Sequence, residues 1–193
     1  MKDKRIGCCM TGSFCTFDRA FCAYREFASA GARLLPVMSE NAYETDTRFH
    51  AASDARRIFE EIAGREIIHT IRDAEPIGPK KMVDLMTVMP CTGNTVSKIV
   101  NGVVDTPAVM AVKSTLRAGR PVLIAVATND GLGICAKNIG QLLAVKNVFF
   151  VPFAQDDPEN KPQSLVARFD LAFAAAEAAL EGRQLQPILT ANC

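Results

Sequence analysis

Residues 88–102 read VMPCTGNTVSKIVNG. An apolar run halts at Pro90. A thiol, hydroxyls, a glycine and an amide follow, and a helical pattern then begins. A buried strand that ends in so many small hydrogen-bonding groups either needs a well-capped turn or holds something there. Thr92 or Asn94 can cap the following helix and Gly93 can relieve the turn. A capping turn at a strand end is also well placed for a ligand.

The same alternation continues on both sides. Upstream, Lys4–Met10 reads as a strand broken by Thr11-Gly12-Ser13. Asp18–Ala30 has helical spacing and stops at Gly31, and Ala32–Met38 is a second strand ending at Ser39. Ser53 is expected to cap a helix that runs to Ala63 and closes at Gly64. Glu66–Ile71 reads as a short strand, Pro76 and Pro79 as loop punctuation, and Met82–Met89 as the strand that opens the quoted stretch. Downstream, helices are expected over Asn94–Val104 and Thr106–Ala118, strands over Pro121–Ala127 and Asn147–Val151, and a helix over Cys135–Ala144. Residues 155–163 form a polar loop, and Ser164–Leu180 reads as one long helix.

The strands are continuous apolar runs, as required when helices cover both faces of a sheet. The expected fold is a three-layer α/β/α sandwich with a mainly parallel sheet, in one domain over residues 1–193. The net charge of +1 carries no nucleic-acid footprint. No run is long enough to span a bilayer, and MKDKRIGCCM lacks the apolar region of a signal peptide, so a cytoplasmic protein is expected. The seven cysteines, 8, 9, 15, 22, 91, 135 and 193, form no CxxC pair. They read as reduced, mostly buried thiols rather than disulfides or a zinc site, and no metal is expected.

In such a sheet, ligands bind beyond the carboxyl ends of the strands. Five strand ends deliver polar groups to one rim: Thr11-Gly12-Ser13, Ser39, the segment from Pro90 to Thr95, Thr128-Asn129-Asp130, and Gln155-Asp156-Asp157. One such end means little; five suggest a polar site. The first turn is suited to a phosphate, because a glycine admits an oxyanion to backbone N–H groups. It is neither GxGxxG nor a P-loop, and a mononucleotide fits it better than a dinucleotide. Cys91 has apolar neighbours and reads as a small core filler rather than a nucleophile. His50 reads as a solvated residue at a helix start and His69 as a strand-edge residue. Asp156-Asp157 reads as a loop turn.

The order of motifs resembles the flavoprotein family that includes the flavin-containing cysteine decarboxylases. That family carries TGS in its first turn, a hydroxyl after the second strand, and a Pro-Ala-Ser-Ala-Asn-Thr-like motif after the middle strand. The matching residues are Thr11-Gly12-Ser13, Ser39, and Pro90-Cys91-Thr92-Gly93-Asn94-Thr95. The resemblance implies FMN, with its phosphate at the first turn and its ring near the Asn motif. It also implies trimers or multiples of trimers with flavin near a contact between copies. On it, Thr11, Gly12, Ser13, Ser39, Pro90, Thr92, Asn94, Thr95 and Asn129 are the expected cofactor-binding residues. Asn94 and Asp130 are the catalytic candidates, and Lys98 or Lys137 could supply charge.

Four longer phrases are KRIGCCMTGSFCT (4–16), the run from Pro90 to Arg117, ATNDGLG (127–133) and NVFFVPFAQDDPENKPQSLVAR (147–168). With the C-terminal LQPIL they are similar to a branch of the family: the flavoprotein-like component of a two-component sporulation oxidoreductase. That similarity implies oxidation of a dihydrodipicolinate-type precursor to pyridine-2,6-dicarboxylate in the mother cell of a sporulating bacterium. The other component, the A subunit of that enzyme, resembles a nicotinamide-dependent dehydrogenase and is expected to carry NADP. The alternatives are a non-catalytic component that binds or activates the A subunit, and a stand-alone FMN-dependent decarboxylase or reductase. The decarboxylases carry a catalytic histidine fourteen residues before the motif proline. Here that position is Pro76, which implies a different reaction.

Overall fold

The computed structural model describes residues 1–191; Cys193 lies outside them. Its centre is a parallel sheet whose strands are β1 (Arg5–Met10), β2 (Arg33–Met38), β3 (Leu85–Cys91), β4 (Val122–Thr128) and β5 (Val148–Phe150). The order is β2-β1-β3-β4, with β5 also paired to β4. Every residue of β3 is buried, as are all but the first of β1 and all but the last of β4. These residues feed two cores on opposite sides. In β1, Cys8 joins one core and Cys9 the other, the period-two alternation of a strand.

Helices α1 (Phe17–Ser29), α3 (Ala52–Ala63) and α8 (Ala172–Leu180) cover one face with an aromatic core of Phe17, Phe21, Tyr24, Phe27 and Phe59. The other face is covered by α5 (Gly93–Asn101), α6 (Pro107–Arg117) and α7 (Cys135–Leu143) over Val88, Ile124 and Val126. The short helices α2 (Glu40–Glu44) and α4 (Ile71–Ala74) fill connections. The expected three-layer α/β/α sandwich is therefore the observed fold. Helices α1, α2 and α5 each begin just after a strand's carboxyl end, so helix N-termini gather along one rim.

Four local expectations are corrected. Ser164–Leu180 is not one helix. After β6 (Phe153–Ala154), Leu165–Ala167 forms a further strand (β7), Phe169–Leu171 a 3-10 turn, and only then does α8 start. The apolar triplet pairs antiparallel with Ala127 and Thr128 of β4, and with β6 on its other side. Such pairing partners are invisible to local periodicity. Glu66–Ile71 is not a strand. Ile68 makes a single bridge to Val37, and Thr70 then caps α4. Ser53 does not cap α3. The helix begins at Ala52, whose N–H donates to Asp46 Oδ1 at 2.8 Å. Pro76 lies in a 3-10 turn, Glu75–Ile77, rather than in open loop.

Cys8, Cys9, Cys91 and Cys135 are buried and unbonded, whereas Cys15 and Cys22 are exposed on the α1 side. Among the described residues no helix is long and apolar enough to cross a membrane.

Candidate functional site

The rim's switch in strand order lies between β1 and β3, because the chain leaves β1 for β2 on one side and returns to β3 on the other. Thr11 closes that junction. It is 1% exposed; its Oγ1 donates to Pro90 O at 2.9 Å and accepts from Thr92 N at 3.0 Å. Its own N–H donates to Pro90 O at 3.2 Å. The first turn and the quoted stretch are thus one hydrogen-bonded unit.

Beyond Thr11 the chain makes a 3-10 turn, Phe14–Thr16, that runs into α1. Beyond β3, Thr92 caps α5 by accepting from Thr95 N at 3.2 Å. Gly93 is required here: a Cβ would lie 2.8 Å from Thr128 Oγ1 at the end of β4. The close approach brings the α5 N-terminus against the β4 end, so three strand ends surround one hollow.

That hollow is a cavity of about 810 Å³, within the range of ligand sites. Of the residues named from the sequence, Gly12, Ser13, Thr92, Asn94, Asn129 and Asp130 line it. Thr11, Pro90 and Thr95 lie outside the lining. Thr95 is buried, its Oγ1 3.0 Å from Thr92 Oγ1. Ser39 is also outside the lining and caps α2 by accepting from Ala42 N. Lys98 pairs with Asp105 at 2.8 Å, and neither Lys98 nor Lys137 lines the cavity.

The lining residues that sequence reading missed include Phe14, Arg19, Arg48, Phe49 and Lys161. Arg19 and Arg48 form no close ion pair among the described residues, although Arg19 helps to hold the Asp170 carboxyl below its usual range, and Lys161 lies 3.7 Å from Asp156. The Arg48 guanidinium sits over the Phe49 ring, 4.9 Å from its centroid. The only hint in the sequence was a cation beside an aromatic in a polar connection, residues 45–50. A second cavity of about 660 Å³ opens beyond Arg19, between α1 and residues 167–170. It contains none of the strand-end polar groups and lies off the rim.

The donor set suits a flat, phosphorylated ligand. Two helix N-termini, the Arg19 and Arg48 guanidiniums, the Ser13 hydroxyl and the Asn94 amide can neutralise and hold anionic oxygens. Phe14 and Phe49 offer aromatic faces. The wall's carboxylates differ. Asp156 faces Lys161, whereas Asp130 makes no ion pair and accepts from Ile134 N at 3.1 Å through Oδ1. Cys91 is not suited to chemistry here: burial pushes its thiol well above the usual thiol range. His50 is not solvated. Its ring packs on Phe17 and Phe21, and Nε2 lies 3.0 Å from Asp18 Oδ1. His69 stacks on Tyr43 with ring centroids 4.0 Å apart.

The sequence profile described as Flavoprotein matches residues 1–178. The B subunit of dipicolinate synthase from Bacillus subtilis (strain 168) is 44% identical over 192 residues, covering 100% of this chain and 96% of that protein. The crystal structure of the corresponding dipicolinate synthase protein from Bacillus halodurans C, also a B subunit, superposes with a TM-score of 0.91 at 39% identity, covering 100% of this chain and 98% of that one. A dodecameric FMN-dependent Ubix-like decarboxylase from Escherichia coli O157:H7 shares the fold, with a TM-score of 0.63 at 21% identity over 77% of this chain and 79% of that one.

Proposed function

This chain belongs to the Flavoprotein family, and we propose that it is the flavoprotein-like component of a dipicolinate synthase, working with the A subunit of that enzyme. Together they oxidise a dihydrodipicolinate-type precursor to pyridine-2,6-dicarboxylate. The observation that carries this reading is that Arg19 on the first turn of α1, Arg48 on the connection after α2 and the N-terminus of α5 all line one cavity at the β1/β3 switch point. A binding site for a flavin phosphate or for a dicarboxylate needs that excess of positive potential.

The residues present fit FMN. In this reading Ser13, Gly12 and the start of α1 hold its phosphate, and Phe49, Thr92 and Asn94 border its ring. When bound, FMN supplies acceptance of a hydride equivalent. The protein's own tasks are then to bind the precursor's carboxylates, exclude water and take a proton. Arg48 binds a carboxylate, the Asn94 amide orients the ring, and Asp130 receives the proton released as the ring becomes aromatic. Asp130 is preferred to Asp156 because no cation competes for it. Pro76, having no titratable group, leaves the decarboxylase role without its acid–base side chain.

NADP belongs on the dehydrogenase-like partner in this scheme. The chain assembles as trimers or multiples of trimers and works in the mother-cell cytoplasm. The test is the visible spectrum of the purified chain with equilibrium dialysis against FMN, followed by assay with and without the partner. Retention of about one flavin per chain, and turnover only with both components, is expected. No binding at saturating FMN would remove the cofactor site. Undiminished turnover by the partner alone would remove the catalytic role.

A further inference from the structure

We propose that His50 is a positioning residue for the rim site, acting through Arg48 and Phe49; the proposal rests on the FMN reading above. Arg48 and Phe49 stand on a connection with no regular structure, yet they form one wall of the cavity. The turn that carries them is internally rigid. Thr47 Oγ1 accepts from Phe49 N at 3.1 Å and from His50 N at 3.2 Å, and Thr47 N donates to His50 O at 2.9 Å. Such a turn moves as a body, so its placement depends on what moors it to the rest of the protein.

His50 is the mooring on the cavity side. Its side chain is only 17% exposed, although the turn lies at the surface. The imidazole stacks on Phe17, with centroids 6.5 Å apart, and meets the edge of Phe21 at 6.0 Å. Nε2 reaches Asp18 Oδ1 at 3.0 Å. Phe17, Asp18 and Phe21 all belong to α1, whose first turn carries Arg19 into the cavity lining as well. His50 therefore ties the two arginine-bearing walls together. Two like charges held at one cavity repel when no anion lies between them. A fixed mooring keeps Arg48 and Phe49 in place ahead of binding, which lowers the ordering cost when the ligand arrives.

The experiment compares His50→Leu, His50→Gln, Phe49→Ala and the Phe49→Ala/His50→Leu double variant. Leu keeps the packing on Phe17 and Phe21, and Gln restores a donor near the Nε2 position. FMN affinity is read by quenching of flavin fluorescence, and mooring by backbone amide NMR order parameters at Phe49 and His50, which fall when the turn moves as a body with its internal bonds intact. His50→Leu is expected to bind FMN about tenfold more weakly and to lower those order parameters from about 0.85 to below about 0.6. His50→Gln should recover most of both. The double variant should bind FMN no more weakly than Phe49→Ala, because the turn meets the flavin through Phe49 in this reading. Wild-type affinity in His50→Leu, or losses that simply add, would overturn the proposal. If the wild-type chain binds no FMN, the cofactor reading fails separately. The order parameters then decide the mooring, and unchanged values in His50→Leu refute it.

Discussion

Thr11 and Thr92 stand 81 positions apart in the chain, yet the Thr92 N–H donates to Thr11 Oγ1 at 3.0 Å. The same hydroxyl donates to Pro90 O, so one buried side chain joins the turn after β1 to the turn after β3. These two turns supply the proposed phosphate end and ring end of the rim site. Their spacing is therefore set by a side chain that does not itself line the cavity.

Thr11→Val keeps the shape and removes the hydroxyl. It leaves the Thr92 N–H without this acceptor, at a cost of about 1–3 kcal/mol. Urea unfolding should show that loss, and Thr11→Ser should show little of it. An unchanged midpoint in Thr11→Val would mean that water or a neighbour replaces the bond.

Asn94 is exposed at the start of α5, and its side chain makes no hydrogen bond that stabilises the fold among the described residues. Asn94→Ala should shift stability by no more than about 0.5 kcal/mol while weakening FMN or substrate binding. Wild-type affinity and turnover would take Asn94 out of the site.

Ser13→Asp places a carboxylate beside the proposed phosphate position. Like-charge repulsion should weaken FMN binding and leave riboflavin, which lacks the phosphate, less affected. Equal losses for both ligands would mean that the phosphate lies elsewhere.

The exposed thiols give a footprint of the cavity. Cys15 lines it, whereas Cys22 lies in the neighbouring cavity. Bound FMN should slow alkylation of Cys15 and leave Cys22 unchanged. Equal protection of both, or of neither, would place the ligand elsewhere.

The buried thiols predict an alkaline limit to stability. Burial pushes Cys8, Cys9 and Cys91 up, with a neighbouring thiol adding to the effect at Cys8 and Cys91. In the unfolded chain these groups lose protons above about pH 8.5, while in the folded chain they keep them. The unfolded state then binds fewer protons, so stability falls as pH rises. The slope is about 1.4 kcal/mol per pH unit for each thiol. The contribution is fully present below the unfolded thiol range. Urea midpoints at about pH 7 and about pH 9.5 under reducing conditions check the sign; a flat profile would contradict the burial argument.

Much of this protein was decided by its sequence read locally. A strand covered on both faces must be apolar throughout, so β1, β3 and β4 announce themselves, and their polar ends mark the rim. Thr92, Thr106 and Gly102 show the same kind of local control, because caps and left-handed stops need particular side chains or none. Short pairing segments were not legible in this way. Leu165–Ala167 fits a helix or a strand equally, and only Ala127, Thr128 and the β6 strand decide between them. The division within the site follows the same reasoning. Ser13, Asn94 and Asp130 were legible because a strand end carries them to the rim in any parallel sheet. Arg48 and Phe49 were not, because their wall exists only where His50 meets Asp18, 32 positions away in the chain. Backbone periodicity determines which residues are buried and where elements end. Contacts between side chains distant in sequence determine which of the remaining polar groups face the same cavity.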